Sequence, residues 1–156
     1  YVALAAFERD GLVRDPDEGI GGTDDAHLHV GVDDGSVSVD AQFKVTEALA
    51  VHAPDTDQAL PVGPVEIAWQ DDSSEDGYIV EIYDALGTLV HRDDSVPRVT
   101  GAERVRHTWD GQMAEAGMIY QARIYSFRDR NGGRTFISAS EPLLGVFSFE
   151  TAPDDS

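Results

Sequence analysis

Two short runs decide what this chain can fold into. Val65-Glu66-Ile67-Ala68-Trp69 ends on an indole, and Tyr120-Gln121-Ala122-Arg123-Ile124 begins on a phenol. Both alternate apolar with polar or small side chains. Successive strand residues point to opposite faces, so each run offers one face to a core and the other to water. The pattern repeats at 64–70, 77–84, 87–92, 103–109, 118–128 and 144–151. Asp71-Asp72-Ser73-Ser74, Ala85-Leu86-Gly87, Asp110-Gly111 and Asn131-Gly132-Gly133 punctuate it. Short strands between polar turns predict an all-β, antiparallel sandwich. Trp69, Tyr78, Tyr120 and Ile124 are its expected core. Only 112–117 has helical character, one or two turns stopped by Gly117.

Ahead of this block, three further strands are read at 1–8, 26–32 and 36–46, the last two joined by a hairpin turn at Asp33-Asp34-Gly35. The stretch 9–25 between the first two is long for a loop, and loops of that length are commonly functional or mobile. The proline-rich segment after Ala53 reads as an extended linker. The expected organisation is therefore an N-terminal β segment at 1–53, a linker at 54–63, a sandwich at 64–151 and a disordered tail at 152–156. A chain opening in mid-strand reads as a mature or trimmed fragment. Its first strand, Val2 to Phe7, is suited to pairing with a sheet edge of a neighbouring copy.

Charge narrows the partners. Against 30 acidic residues stand 11 basic ones, giving a net charge of −19. Such a polyanion is repelled by nucleic acid and by anionic lipid, which excludes both as principal partners. Mean hydropathy of −0.29 and the lack of a long apolar run exclude a membrane-spanning helix. Aspartate over glutamate and arginine over lysine fit a high-GC bacterial genome, and the acid excess fits a salty habitat that screens self-repulsion. With no cysteine, disulfides, thiol catalysis and cysteine-ligated metals are excluded.

Residues 62–151 resemble a fibronectin type III-like domain. Trp69 matches the core tryptophan of that family's second strand. Tyr78-Ile79-Val80-Glu81-Ile82 matches its Tyr-x-Val-x-Ile strand, and Tyr120 to Ile124 matches the strand opened by a corner tyrosine. Asn131-Gly132-Gly133 matches the turn leading to a last strand at Val146 to Thr151. The resemblance implies an Ig-like sandwich, a fold that mostly carries no chemistry. No Arg-Gly-Asp triplet is present, so integrin binding is not implied. Residues 1–52 are similar to half of a transthyretin-like or carboxypeptidase-regulatory-like module, in the order strand, acidic glycine-rich loop, Gly21-Gly22 and two alternating strands.

Three candidate sites follow. Asp10, Asp15, Asp17, Glu18, Asp24 and Asp25 form an acidic loop, and calcium takes six to eight oxygen ligands of this type. The EF-hand spacing fails at Leu12 and Arg14, so a solvated loop is the leading reading. His27 and His29 share one strand face, a spacing able to hold zinc or copper if a third ligand joins them; ordinary exposed histidines lead there. Finally, alternation turns Tyr83, Tyr125 and Phe127 outward. Together with Trp109 they form either a platform for sugar rings or a protein partner, or a face buried against the N-terminal strands. Neither a nucleophile elbow nor a phosphate-binding glycine loop occurs.

These readings converge on a non-enzymatic, exported or cell-envelope β-protein with a structural, assembly or adhesion role. The alternative is a carbohydrate-binding module assisted by calcium. A metal-dependent enzyme comes third. The expected partner is a protein, a second copy or a cell-surface carbohydrate.

Overall fold

The computed structural model describes residues 2–4, 10–17, 27–29, 42–55, 58–101 and 104–151, with backbone alone for 2–4 and 27–29. The strands are β1 Val2–Leu4, β2 Leu12–Arg14, β3 His27–His29, β4 Val45–Glu47, β5 Val51–Ala53, β6 Gln58–Leu60, β7 Val65–Gln70, β8 Gly77–Asp84, β9 Leu89–Pro97, β10 Arg104–Trp109, β11 Ile119–Arg130, β12 Gly133–Ala139 and β13 Val146–Phe149. No helix occurs among the described residues. The stretch 112–117, read as helical, forms turns instead. Met113 has φ of 66°, and Gly111 and Gly117 are also positive, which no right-handed helix accommodates.

The expected all-β, sandwich-like fold is present. A small sheet runs in the order β10-β7-β5, and a large one in the order β6-β13-β11-β8-β9. Among the described residues every ladder is antiparallel except β6 on β13. The twelve-residue β11 serves two partners. Its first residues pair with β13 and its last with β12. Asn131 and Gly132, with φ of 52° and 79°, make the two-residue hairpin that positive φ at both positions permits. That turn leads into β12 rather than to the final strand, so 134–145 is not a connection throughout.

Within the segment expected to be a linker, 54–63, Gln58 to Leu60 is a strand that lies along β13, and just ahead of it Val51 pairs with Trp69 and Ala53 with Ala68. The chain thus crosses from the small sheet to the large one within 54–63. Three-residue strands show no period, which is why this stretch reads as linker. The long loop at 9–25 also contains a strand, β2, paired with β4. Val2–Leu4 pairs internally with His27–His29, so these residues need no neighbouring copy for their ladder. Residues 5–8, the hairpin turn at Asp33-Asp34-Gly35, the start of the strand at 36–46 and the tail 152–156 lie outside the described residues.

Residues 10–17 and 42–49 are fastened to the large sheet. The buried Glu141 accepts from the backbone N–H of Asp10 at 2.8 Å and of Gly11 at 2.9 Å through the same Oε1. Ser138 Oγ donates to the Glu47 carbonyl. Leu49 N donates to Ala139 O at 2.9 Å, forms a parallel bridge with Ser140, and inserts its side chain into the core. This chain covers the end of β12. The far edge strand, β9, is exposed in another manner. It carries Arg92, Asp93 and Asp94, ends at Pro97, and its ladder shifts register twice. Charge, bulges and proline all disfavour pairing with a further strand.

The core sits between the sheets. Val65, Ile67 and Trp69 of β7 meet Tyr78, Val80 and Ile82 of β8, with Tyr120, Ala122 and Ile124 of β11 beside them. All four predicted core residues are buried, Trp69 at 0% and Tyr120 at 1% exposure. Trp109 is buried as well, against Tyr120, Phe149 and Phe147 at centroid distances of 5.6, 6.0 and 6.4 Å. It is therefore not part of an outer platform. In β10 it shares the inward phase of Val105, opposite Val65. The two phenols reach polar loops from inside. Tyr78 Oη donates to Asp71 Oδ1 and accepts from Asp72 N, both at 2.8 Å. Tyr120 Oη accepts from Glu115 N at 2.8 Å, pinning the turns at 112–117.

Where β9 and β10 form the open side of the sandwich, the inward phase turns polar. His107 lies between Val105 and Trp109, and His91 pairs with the inward Ile82. Their Nε2 atoms are 3.0 Å apart and the ring centroids 5.2 Å, so the rings meet nitrogen to nitrogen across the layers. Asp93 Oδ2 faces His107 Nδ1 at 3.7 Å. Burial holds the His107 pKa below the ordinary 6.5, with Asp93 opposing and His91 adding to the drop. A proton therefore enters the unfolded chain first. Stability from this group is fully present above about pH 6.5 and is lost as pH falls toward the lower folded value. Glu75 has the opposite sign. Burial raises its carboxyl above 4.5, and its Oε2 has no partner among the described residues. Its contribution is present in acid and lost as pH rises through the raised value. Thermal midpoints measured from about pH 8 to about pH 5 are expected to fall less for His107→Asn than for the parent chain. Equal slopes would remove the histidine pair as the cause.

Candidate functional site

Tyr83, Tyr125 and Phe127 stand in the outward phase of β8 and β11, but their rings do not form an open platform. Phe127 is 4% exposed. Its ring covers the bare Gly77 opposite, where an added Cβ would lie 2.8 Å from Cζ. The Arg134 guanidinium stacks above it at 3.5 Å. Phe127 is thus a seal over a glycine gap, and alternation alone shows its phase but not this cover.

Tyr83 is half-buried and donates to Glu81 Oε2 at 2.8 Å. The other oxygen of Glu81 accepts from Arg92 Nη1 at 2.8 Å. Arg123 lies 4.7 Å over the Tyr83 ring. Burial, then the bond to Glu81, raises the Tyr83 phenol above its ordinary value. Tyr125, also raised by burial, packs at 5.7 Å against Phe136 of β12. The outer face is therefore a knit of guanidinium, phenol and carboxylate groups that leaves little free ring surface.

Three residues of the predicted acidic loop are described. Asp10 caps its own turn, accepting from Leu12 N at 3.0 Å. Asp15 is buried and its Oδ2 lies 2.8 Å from Lys44 Nζ, while Oδ1 accepts from Asp17 N at 2.9 Å. Lys44 is the chain's only lysine. The carboxylate read as a calcium ligand thus has both oxygens engaged and an ammonium as counter-charge. Among the described residues no group of three or more acidic or histidine side chains converges in a way that could hold a metal ion. Glu18, Asp24 and Asp25, with the side chains of His27 and His29, lie outside the described residues.

What the fold does bring together is a groove of ≈ 350 Å³ between the β2–β4 pair and the β11–β12 hairpin. Asp15 and Asp17 meet Lys44, Arg128 and Arg130 there, over Phe136 and Ile137, with the hydroxyls of Thr46 and Thr135 on the walls. Arg128 Nε donates to the Ser74 carbonyl, which fixes its guanidinium. Arg130 is exposed; its backbone pairs with Gly133, but its side chain makes no hydrogen bond or ion pair among the described residues. No spacing motif in the sequence singles out these cations. Their signal was scarcity: Arg128 and Arg130 straddle Asp129 at the end of the longest strand in a chain poor in positive charge.

No family model, curated protein or solved structure matches the chain.

Proposed function

We propose that this chain is a non-catalytic, fibronectin type III-like sandwich unit, exported or held in a bacterial cell envelope, with a structural, assembly or adhesion role. The observation that carries the reading is the fastening of residues 10–17 and 42–49 to the large sheet. Buried Glu141, the Leu49 bridge and the crossing at 54–63 join the leading segment and both layers into one body. A unit that spends its buried hydrogen-bonding groups on holding its own strands together is built for spacing and attachment. The aromatic–arginine knit on the outer face supports the same reading, because it ties β8, β9 and β11 to one another. Net charge of −19 suits a hydrated, screened exterior.

Fractionation of producing cells, followed with an antibody to this chain, is expected to recover it with the envelope or the medium. Recovery in the cytosol would overturn the export reading.

A further inference from the structure

We propose that the groove between the β2–β4 pair and the β11–β12 hairpin binds a uronic acid residue of an acidic polysaccharide. The inference deepens the adhesion reading above and rests on it.

Charge is the first argument. Three of the chain's 11 cations, Lys44, Arg128 and Arg130, line one groove. Lys44 is answered by Asp15 at 2.8 Å, and Arg128 is braced by a backbone carbonyl. The Arg130 side chain has no hydrogen-bond or ion-pair partner among the described residues. A guanidinium offers a planar fork that a carboxylate meets with two oxygens. At about 0.15 M salt the screening length is about 8 Å, so remote carboxylates contribute little and the groove's own cations decide.

The lining gives the second argument. Phe136 and Ile137 supply an apolar floor against which the C–H face of a pyranose ring packs. Thr46 and Thr135 offer hydroxyls that donate to and accept from sugar hydroxyls. A bare anion would use none of these, and a neutral sugar would leave Arg130 unmatched. The volume of ≈ 350 Å³ stands near the lower end of small-molecule sites, about 300–1,000 Å³, which suits one or two sugar rings. Arg130 belongs to the carboxylate, Phe136 to the ring and the two threonines to the hydroxyls.

The test is titration of the full chain with galacturonic and glucuronic acid oligomers, followed by calorimetry and amide chemical shifts. Neutral galactose oligomers and a short peptide with a free C-terminal carboxylate serve as comparison ligands. Binding of at least one uronate series is expected, with shifts confined to residues around Lys44, Arg130 and Phe136. Arg130→Ala should weaken that binding about tenfold without moving the thermal midpoint, since Arg130 is exposed and outside the core. Arg130→Lys should recover part of the loss. Absence of uronate binding would overturn the inference. So would equal binding of the neutral oligomers or the peptide, or an unchanged affinity in Arg130→Ala. An envelope location with no uronate binding sinks this inference alone, whereas recovery in the cytosol sinks the reading it rests on.

Discussion

Trp109→Ala is expected to lower folding stability by about 3–5 kcal/mol, the usual loss when a buried large aromatic is truncated. Its indole is 1% exposed and packs on three aromatic rings from β11 and β13. It also packs on the His91 ring, at 6.2 Å. No neighbour is free to fill the space. Tyr120 is tethered through its hydroxyl to Glu115, and the backbones of Phe147 and Phe149 are held in ladders with β11 and β6. The cavity should therefore persist rather than collapse. Domains commonly have only about 5–15 kcal/mol to lose, so much of the fold's margin would disappear. Urea denaturation followed by fluorescence of the remaining Trp69 measures it. Trp109→Phe should cost less, because it keeps a ring in the same slot. A loss below about 1 kcal/mol for the alanine variant would show that this end of the core repacks freely.

Glu141→Ala should act locally and be seen first in the leading segment. One buried oxygen receives two backbone donors, at 2.8 and 2.9 Å. Hydrogen bonds to a charged group contribute about 1.5–3 kcal/mol, and truncation leaves the Asp10 and Gly11 amides without their acceptor. Hydrogen exchange is expected to accelerate at Asp10, Gly11 and the β2–β4 pair while β8 and β11 keep their protection. Glu141→Gln retains an acceptor in the same place and should lie between parent and alanine variant. Unchanged exchange at 10–17 in the alanine variant would mean that the Lys44–Asp15 pair and the Leu49 anchor suffice without Glu141.

Much of the layered fold was legible because buried strands show their period. Gly77 to Asp84 was read with the bounds it has, since turn residues flank an unbroken apolar phase. The edge strand β9 was read too short. Its later half, Asp93 to Pro97, is charged and ends in proline, features an edge tolerates and a central strand does not. β5 and β6 escaped because three residues cannot show a period of two. β12 escaped because the run after Gly133 was weighed as a route to Val146 instead of as a partner for Arg128. The groove was not legible for a different reason. Asp15 and Lys44 come from the leading segment and Arg128, Arg130 and Phe136 from the β11–β12 hairpin, and only the docking of one on the other makes them neighbours. Phe127 marks the limit of pattern alone: its phase was read correctly, but its cover depends on Gly77 lacking a side chain and on Arg134 folding back.

The treatment of the two flanks bears on how copies of this unit can be arrayed. At β12 the margin is occupied by the chain's own residues 47–49, and at β9 it is kinked, ionic and closed by Pro97. Ribbon-like growth of the large sheet is discouraged at those two places, which leaves the short outer strand β6 and the small sheet's β10 and β5 as the ladder edges open to a neighbouring copy among the described residues.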